Sequence, residues 1–150
     1  MEIRNRGILK NKIAIALYNT MLSNIFMGNQ GTCKPKDFKR FIRGHLATDG
    51  ELGSEDMFIF FDLFAPNGID GANELRFDIY VRNTVINDAS MSTVHGNMLD
   101  SILLIVDDCM QIENIENNLF GYVLAPNPIV DENNKGEYCG LSIRYAVHDR

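Results

Sequence analysis

NMLDSILLIVDDCMQ, residues 97–111, has both the length and the pattern of a buried helix. Met98, Ile102, Ile105, Val106 and Cys109 recur at three- and four-residue steps and stack on one face, while Asp100, Ser101, Asp107 and Asp108 fall elsewhere. Its centre, ILLIV, reads as a strand when taken alone, but the flanking residues carry the helical period past strand length. Strand-like runs lie in pairs on both sides, so this helix is placed to fill one face of a sheet built from both halves of the chain.

Downstream, LFGYVLA (119–125) reads as a strand stopped by Pro126 and Pro128, and DENNKG as a turn. In EYCGLSIRYAVHD (137–149), Cys139, Leu141, Ile143, Tyr145 and Val147 alternate with Tyr138, Ser142, Arg144 and His148, the plainest strand pattern in the chain. Upstream, LRFDIYVRNT (75–84) sets Leu75, Phe77, Ile79 and Val81 against Arg76, Asp78, Tyr80 and Arg82, which predicts a half-buried strand with a wet face. MFIFFDLFA (57–65) is apolar on both faces, so it belongs in a sheet covered on both sides or buried by another subunit. ATDGELGSED before it reads as a polar loop.

Two helices are expected nearer the start. Over 8–27, Leu9, Ile13, Leu17, Met21 and Ile25 form one four-residue column beside a second of Ala14, Tyr18, Leu22 and Phe26, with Gly28 as the breaker. From Pro35 to about Leu46, a shorter helix places Phe38, Phe41 or Ile42, and Leu46 on one face and Lys36, Lys39, Arg40 and Arg43 on the other. The order is therefore ααββαββ. The class is α+β: a mainly antiparallel sheet of about four strands packed by two long helices and one short one, in a single domain over 1–150.

Composition fits that class: 150 residues, 45% hydrophobic and 23% charged, form one globular unit with a real core. No run approaches the ~18 apolar residues of a membrane span, and no secretory signal opens the chain, so a soluble, unexported protein without membrane contact is expected. Cys33, Cys109 and Cys139 are widely spaced and read as reduced thiols. Charge is polarised. Residues 1–46 hold nine Lys and Arg against two Asp and Glu, a net of +7; residues 47–150 hold five against eighteen, a net of −13.

Candidate chemistry is sparse. The basic face of KPKDFKRFIRGH admits nucleic acid, plain solvation, or contact with an acidic partner, and the acidity of the whole chain favours the last two. The loop over 66–74, PNGIDGANE, is too long for a tight hairpin and should project as a contact loop. Asp62, Asn67, Asp70, Asn73 and Glu74 offer oxygen ligands, but their spacing fails the twelve-residue calcium pattern. Asp107 and Asp108 point about 100° apart on a helix and cannot converge on one ion without help. Leu104, apolar within the stripe of Asn97, Asp100, Asp107 and Gln111, hints at a partner surface. His95 lacks an identifiable partner and reads as a surface histidine. No phosphate-binding glycine loop, no nucleophile with a base and no HExxH is present, so neither an enzyme nor a cofactor is expected.

From residue 11 onward the order of elements resembles that of the small head-to-tail connector and tail terminator proteins of tailed bacteriophages. Those begin with a helix, place strands around a second helix of the LDSILLIVDD kind and finish in a strand similar to EYCGLSIRYAVHD. LRFDIYVRNT followed by that helix carries most of the likeness, whereas KPKDFKRFIRG and ATDGELGSED have no counterpart in it. The resemblance implies a non-catalytic virion protein, made in the host cytoplasm. It would form a homo-oligomeric ring at the head–tail junction, beside portal, connector or tail proteins, with DNA passing through without sequence-specific binding. On that reading, Lys34, Lys36, Lys39, Arg40, Arg43, Asn67, Asp70, Asn73, Leu104, Asp107 and Asp108 are the expected subunit interface. The alternative is a non-catalytic binding module such as an inhibitor or immunity protein.

Overall fold

A computed structural model describes residues 3–27, 33–48, 50–64, 73–86, 96–116, 122–125 and 127–149. Along the chain run α1 (Ile3–Tyr18), α2 (Leu22–Met27), α3 (Pro35–Phe38), β1 (Ile42–Arg43), β2 (Met57–Phe64), β3 (Asn73–Arg82), α4 (Met98–Glu116), β4 (Tyr122–Leu124), β5 (Ile129–Glu132) and β6 (Tyr138–Asp149). The class is α+β, as expected. The strands form one mixed sheet in the order β1-β2-β3-β6-β4, with β5 also on β6. Every pairing is antiparallel except that of β1 with β2. Six strands replace the expected four because β1 and β5 arise where a helix and a turn were expected.

The helix that organises the chain is α4, longer than the expected 97–111. Asn97 caps it: its Oδ1 accepts the Asp100 N–H at 3.0 Å, and the Asp100 carboxylate accepts the Asn97 N–H at 3.2 Å. This reciprocal pair satisfies two otherwise orphaned donors. Gly96, at φ 111°, brings the chain into the cap through a conformation that favours glycine. Met98, Ile102, Val106 and Cys109 are buried as expected, together with Leu99 and Met110. Ser101, expected off the apolar face, is only 2% exposed and donates to the Asn97 carbonyl instead.

The single helix expected over 8–27 is two. Leu9, Ile13 and Leu17 hold their column, but Met21 is 67% exposed and the buried positions slip by one to Leu22 and Phe26. Thr20 makes the break: its hydroxyl donates to the Leu17 carbonyl at 2.5 Å and accepts the Leu22 N–H at 3.2 Å, ending α1 and capping α2.

The helix expected from Pro35 to Leu46 is also corrected. It stops after four residues and two i-to-i+3 turns follow, Arg40 N–H to Asp37 carbonyl and Phe41 N–H to Phe38 carbonyl. The Phe41 carbonyl then accepts the Ile59 N–H at 2.7 Å, drawing the chain into the sheet. Phe38, Phe41 and Ile42 are all buried, and the aromatic pair Phe26–Phe41 stacks at 4.9 Å. Burying all three apolar residues outweighs local helix preference, and Gly44 opposes helix continuation as well.

α1 packs on β2 and α4 on β3, β4 and β6, and the two helices touch, so the main core lies on one face. The opposite face of β3 is not wet, contrary to the alternation: Asp78 is 3% exposed and Tyr80 fully buried. There Phe58, Phe60, Tyr80 and Tyr138 form a second cluster, with Ala47 and Leu52 of the polar loop packed on it. β2 is therefore covered on both sides by its own chain. β3 also begins and ends two residues earlier than expected, β4 keeps three residues of its expected run, and residues 119–121 and His95 lie outside the described residues.

β4 and β5 lie end to end along one edge of β6. β4 ends at the pair Leu124↔Val147 and β5 begins at Ile129↔Arg144, just after Pro128.

Candidate functional site

The two ends of the sheet differ in charge and in how their edges are closed. At the β1 end, Lys34, Lys36 and Lys39 are exposed, and none forms an ion pair with a described residue. Arg40 and Arg43 are engaged within the chain. Arg40 Nε meets Glu55 at 2.9 Å, and Arg43 Nη1 meets Glu51 at 3.1 Å, its guanidinium 4.9 Å from the centre of the Phe58 ring.

Glu51 gathers that loop. It accepts from the Thr48 hydroxyl at 2.6 Å and the Thr48 N–H at 3.0 Å, and His45 lies 2.8 Å away. These bonds, that of Thr48 foremost, hold the carboxyl down to about 2 from its ordinary 4.5. Arg82 fastens the far side of the loop, donating to the carbonyls of Gly53 and Glu55 and stacking on Tyr138, whose hydroxyl also donates to the Glu55 carbonyl at 2.7 Å. The described residues of loop 44–56 are thereby fixed over the second aromatic cluster, Ala47 and Leu52 packing on it. A catalytic relay places the base between nucleophile and orienting acid. Here a carboxylate stands between Thr48 and His45, so the group anchors a loop.

Beyond β1, the edge of β2 is closed by α1. Arg6 Nε donates to the Leu63 carbonyl at 3.2 Å, and Arg6 and Lys10 both pair with Asp62, Lys10 at 3.0 Å.

The other end is acidic. A groove of about 410 Å³ runs between α4 and β5, lined by Leu103, Leu104, Val130 and Ile143 with the carboxylates Asp100 and Asp107. Leu104, singled out from the sequence as an apolar residue in a polar stripe, sits here. Asp107 accepts from the Tyr145 hydroxyl at 2.6 Å and from Gln111 at 3.4 Å. Burial, then this bond, pushes the Tyr145 phenol up. Asp108 is exposed on α4 outside the groove. β5 is exposed along its whole length, with Ile129 at 55% and Val130 at 46%.

Of the expected interface residues, Lys34, Lys36, Lys39, Arg40 and Arg43 gather at the β1 end and Leu104, Asp107 and Asp108 at the β5 end. Asn67 and Asp70 lie outside the described residues, as does most of the 66–74 loop. Asn73 is 5% exposed and opens β3, so it does not project. Sequence reasoning missed the β5 edge. Its one signal was Ile129-Val130, a β-branched pair directly after Pro128.

Among the described residues no group of three or more His, Cys, Asp or Glu side chains is placed to hold a metal ion. None of the described helices is long and apolar enough to cross a membrane. Burial pushes the Cys109 thiol up to about 12, the direction that disfavours the thiolate. No protein-family model, curated protein or solved structure matches the chain.

Proposed function

We propose that the chain is a structural virion protein, a subunit of a ring at the head–tail junction of a tailed bacteriophage, through which DNA passes. The observation that carries this reading is the opposite charge at the two ends of one sheet. Exposed Lys34, Lys36 and Lys39 stand near β1, and Asp100, Asp107, Asp108 and Glu132 stand at the β5 end, where Asp131 is already paired with Arg144. Four inter-strand steps separate the ends, roughly 19 Å at the usual strand spacing. A ring needs one face of a subunit to meet a different face of the next, and opposite charges favour that contact over like-to-like pairing.

Arg40 and Arg43 contribute less to such a contact than the sequence implied, because Glu55 and Glu51 already neutralise them. The three lysines carry it. Mass photometry across a concentration series should find closed oligomers that weaken as salt rises, since screening shortens the reach of exposed charges to about 8 Å at physiological salt. Reversing Lys36 and Lys39 to Glu should abolish them, and reversing Asp100 and Asp108 to Lys in the same chain should partly restore them. A monomer at every concentration and salt overturns the ring. A stoichiometric one-to-one complex with a host protein would favour the inhibitor or immunity class instead.

A further inference from the structure

Among the described residues, β5 is a sheet edge whose outward backbone meets no side chain. On β6, the Ala146 carbonyl accepts from Ala125, the Gly140 carbonyl from Asn133, and Tyr138 exchanges both bonds with Lys135. Even-numbered residues of β6 thus bond toward β4 and β5, and the odd-numbered Glu137 bonds toward Asn83 on the β3 side. With Ile129 opposite Arg144 and Asp131 opposite Ser142, those two are the bonded residues of β5. The peptide groups of Val130 and Glu132 therefore face away from the sheet.

Two comparable groups elsewhere are covered. Arg6 caps the Leu63 carbonyl of β2, and the Asn114 side chain accepts the Leu124 N–H of β4 at 2.9 Å. No described side chain bonds the backbone of Val130 or Glu132. An open edge flanked by exposed apolar residues is a template for strand addition, which folds ordinarily suppress.

We infer that β5 and the α4 groove form a docking site for an extended, cationic segment of another protein, which adds as a further strand to the sheet. Strand pairing fixes which residues that segment carries. Val130 lies opposite Ile143 and shares the groove face with Leu103 and Leu104, so an incoming side chain beside Val130 is apolar. Asp131 lies opposite Ser142 on the other face, 57% exposed and already paired with Arg144, so the cationic character of the segment is set by Glu132, Asp100 and Asp107, which form no ion pair with a described residue. In a second copy the β2 edge is occupied at Leu63 by Arg6, and a β5 pairing centred on Asp131 would set two carboxylates opposite one another.

This site does not depend on the ring. The probe is a short capped peptide alternating lysine with valine, titrated against the intact protein at low salt and followed by NMR and amide hydrogen exchange. Binding should slow exchange of the Val130 and Glu132 amides and should fail for the peptide with glutamate in place of lysine. Val130→Pro removes an outward donor that β6 does not use; it should weaken binding by about tenfold, the worth of an ordinary hydrogen bond, and leave the protein folded. Leu104→Lys, which puts a cation in the groove, gives an independent loss. The Lys36→Glu, Lys39→Glu chain should bind the peptide normally, separating this site from the ring. No binding, or binding without protection of those two amides, or binding indifferent to both variants, overturns the site.

Discussion

The Tyr145 hydroxyl donates a 2.6 Å hydrogen bond to the Asp107 carboxylate, tying the core face of β6 to the groove side of α4. Tyr145 is only 1% exposed and has no water to turn to, so the bond has a direct effect on stability. Tyr145→Phe should cost about 1.5–3 kcal/mol, the range for a hydrogen bond to a charged group. Urea denaturation measures it, and an unchanged midpoint would show that Gln111 alone suffices for Asp107.

Asp78 presents a stronger case on the opposite face. It is 3% exposed and accepts from Ser142 Oγ at 2.6 Å and Arg76 Nε at 2.8 Å. The Ser142 hydroxyl in turn accepts from Asn133, which also donates to Tyr80. Asp78→Ala strips the acceptor from a buried network and should destabilise by about 2–3 kcal/mol. Asp78→Asn, which keeps one acceptor, should cost less; equal losses would mean that charge, not acceptor geometry, governs this cluster.

Gly140 is required by proximity. A Cβ there would lie 2.1 Å from the Asn133 carbonyl oxygen and 2.9 Å from Tyr80. Gly140→Ala should cost about 1–3 kcal/mol, the usual penalty for overpacking. The loss should be local at first: amide exchange in β5 should accelerate more than in β3. Uniform acceleration would show that β5 does not loosen separately.

Acid should release loop 44–56. Glu51 titrates lower in the folded chain than its ordinary 4.5, so its contribution is complete above that value and is lost as pH falls toward about 2. Thermal melts across that window should show a falling midpoint, and Glu51→Gln should be less stable at neutral pH with a flatter acid slope. Parallel slopes in the two proteins would assign the acid sensitivity to other carboxylates.

Legibility in the sequence followed periodicity. α4, β3 and β6 are recognisable because their apolar spacing repeats over at least eight residues, and β2 because its apolar run is nearly unbroken. α3 and β1 were not: Phe38, Phe41 and Ile42 fit a helical face, and only the partner strand β2, distant in sequence, reveals that Phe41 hands its carbonyl to Ile59. β5 escaped for the opposite reason, since four residues that all stay exposed leave only the pair Ile129-Val130 as a pattern. The wet face assigned to Asp78 and Tyr80 failed because a polar loop can cover a sheet when a few residues, here Glu51, Arg82 and Tyr138, fasten it. At the candidate site, Leu104 was legible as an oddity of its stripe, while the difference between three exposed lysines and two spent arginines required the partners Glu51 and Glu55.

β6 follows in the chain every strand it joins, and it pairs with β3 across about sixty positions of sequence. During synthesis, β1, β2 and β3 are complete while the slot beside β3 is still empty, and Leu75, Phe77, Ile79 and Val81 wait without their β6 neighbours Tyr145, Ile143, Leu141 and Cys139. Contacts of such long range form slowly because loop closure precedes any reward. A nascent chain halted before residue 138 therefore presents a strongly apolar strand with one edge unpaired, a species that chaperones bind and that associates with its own kind.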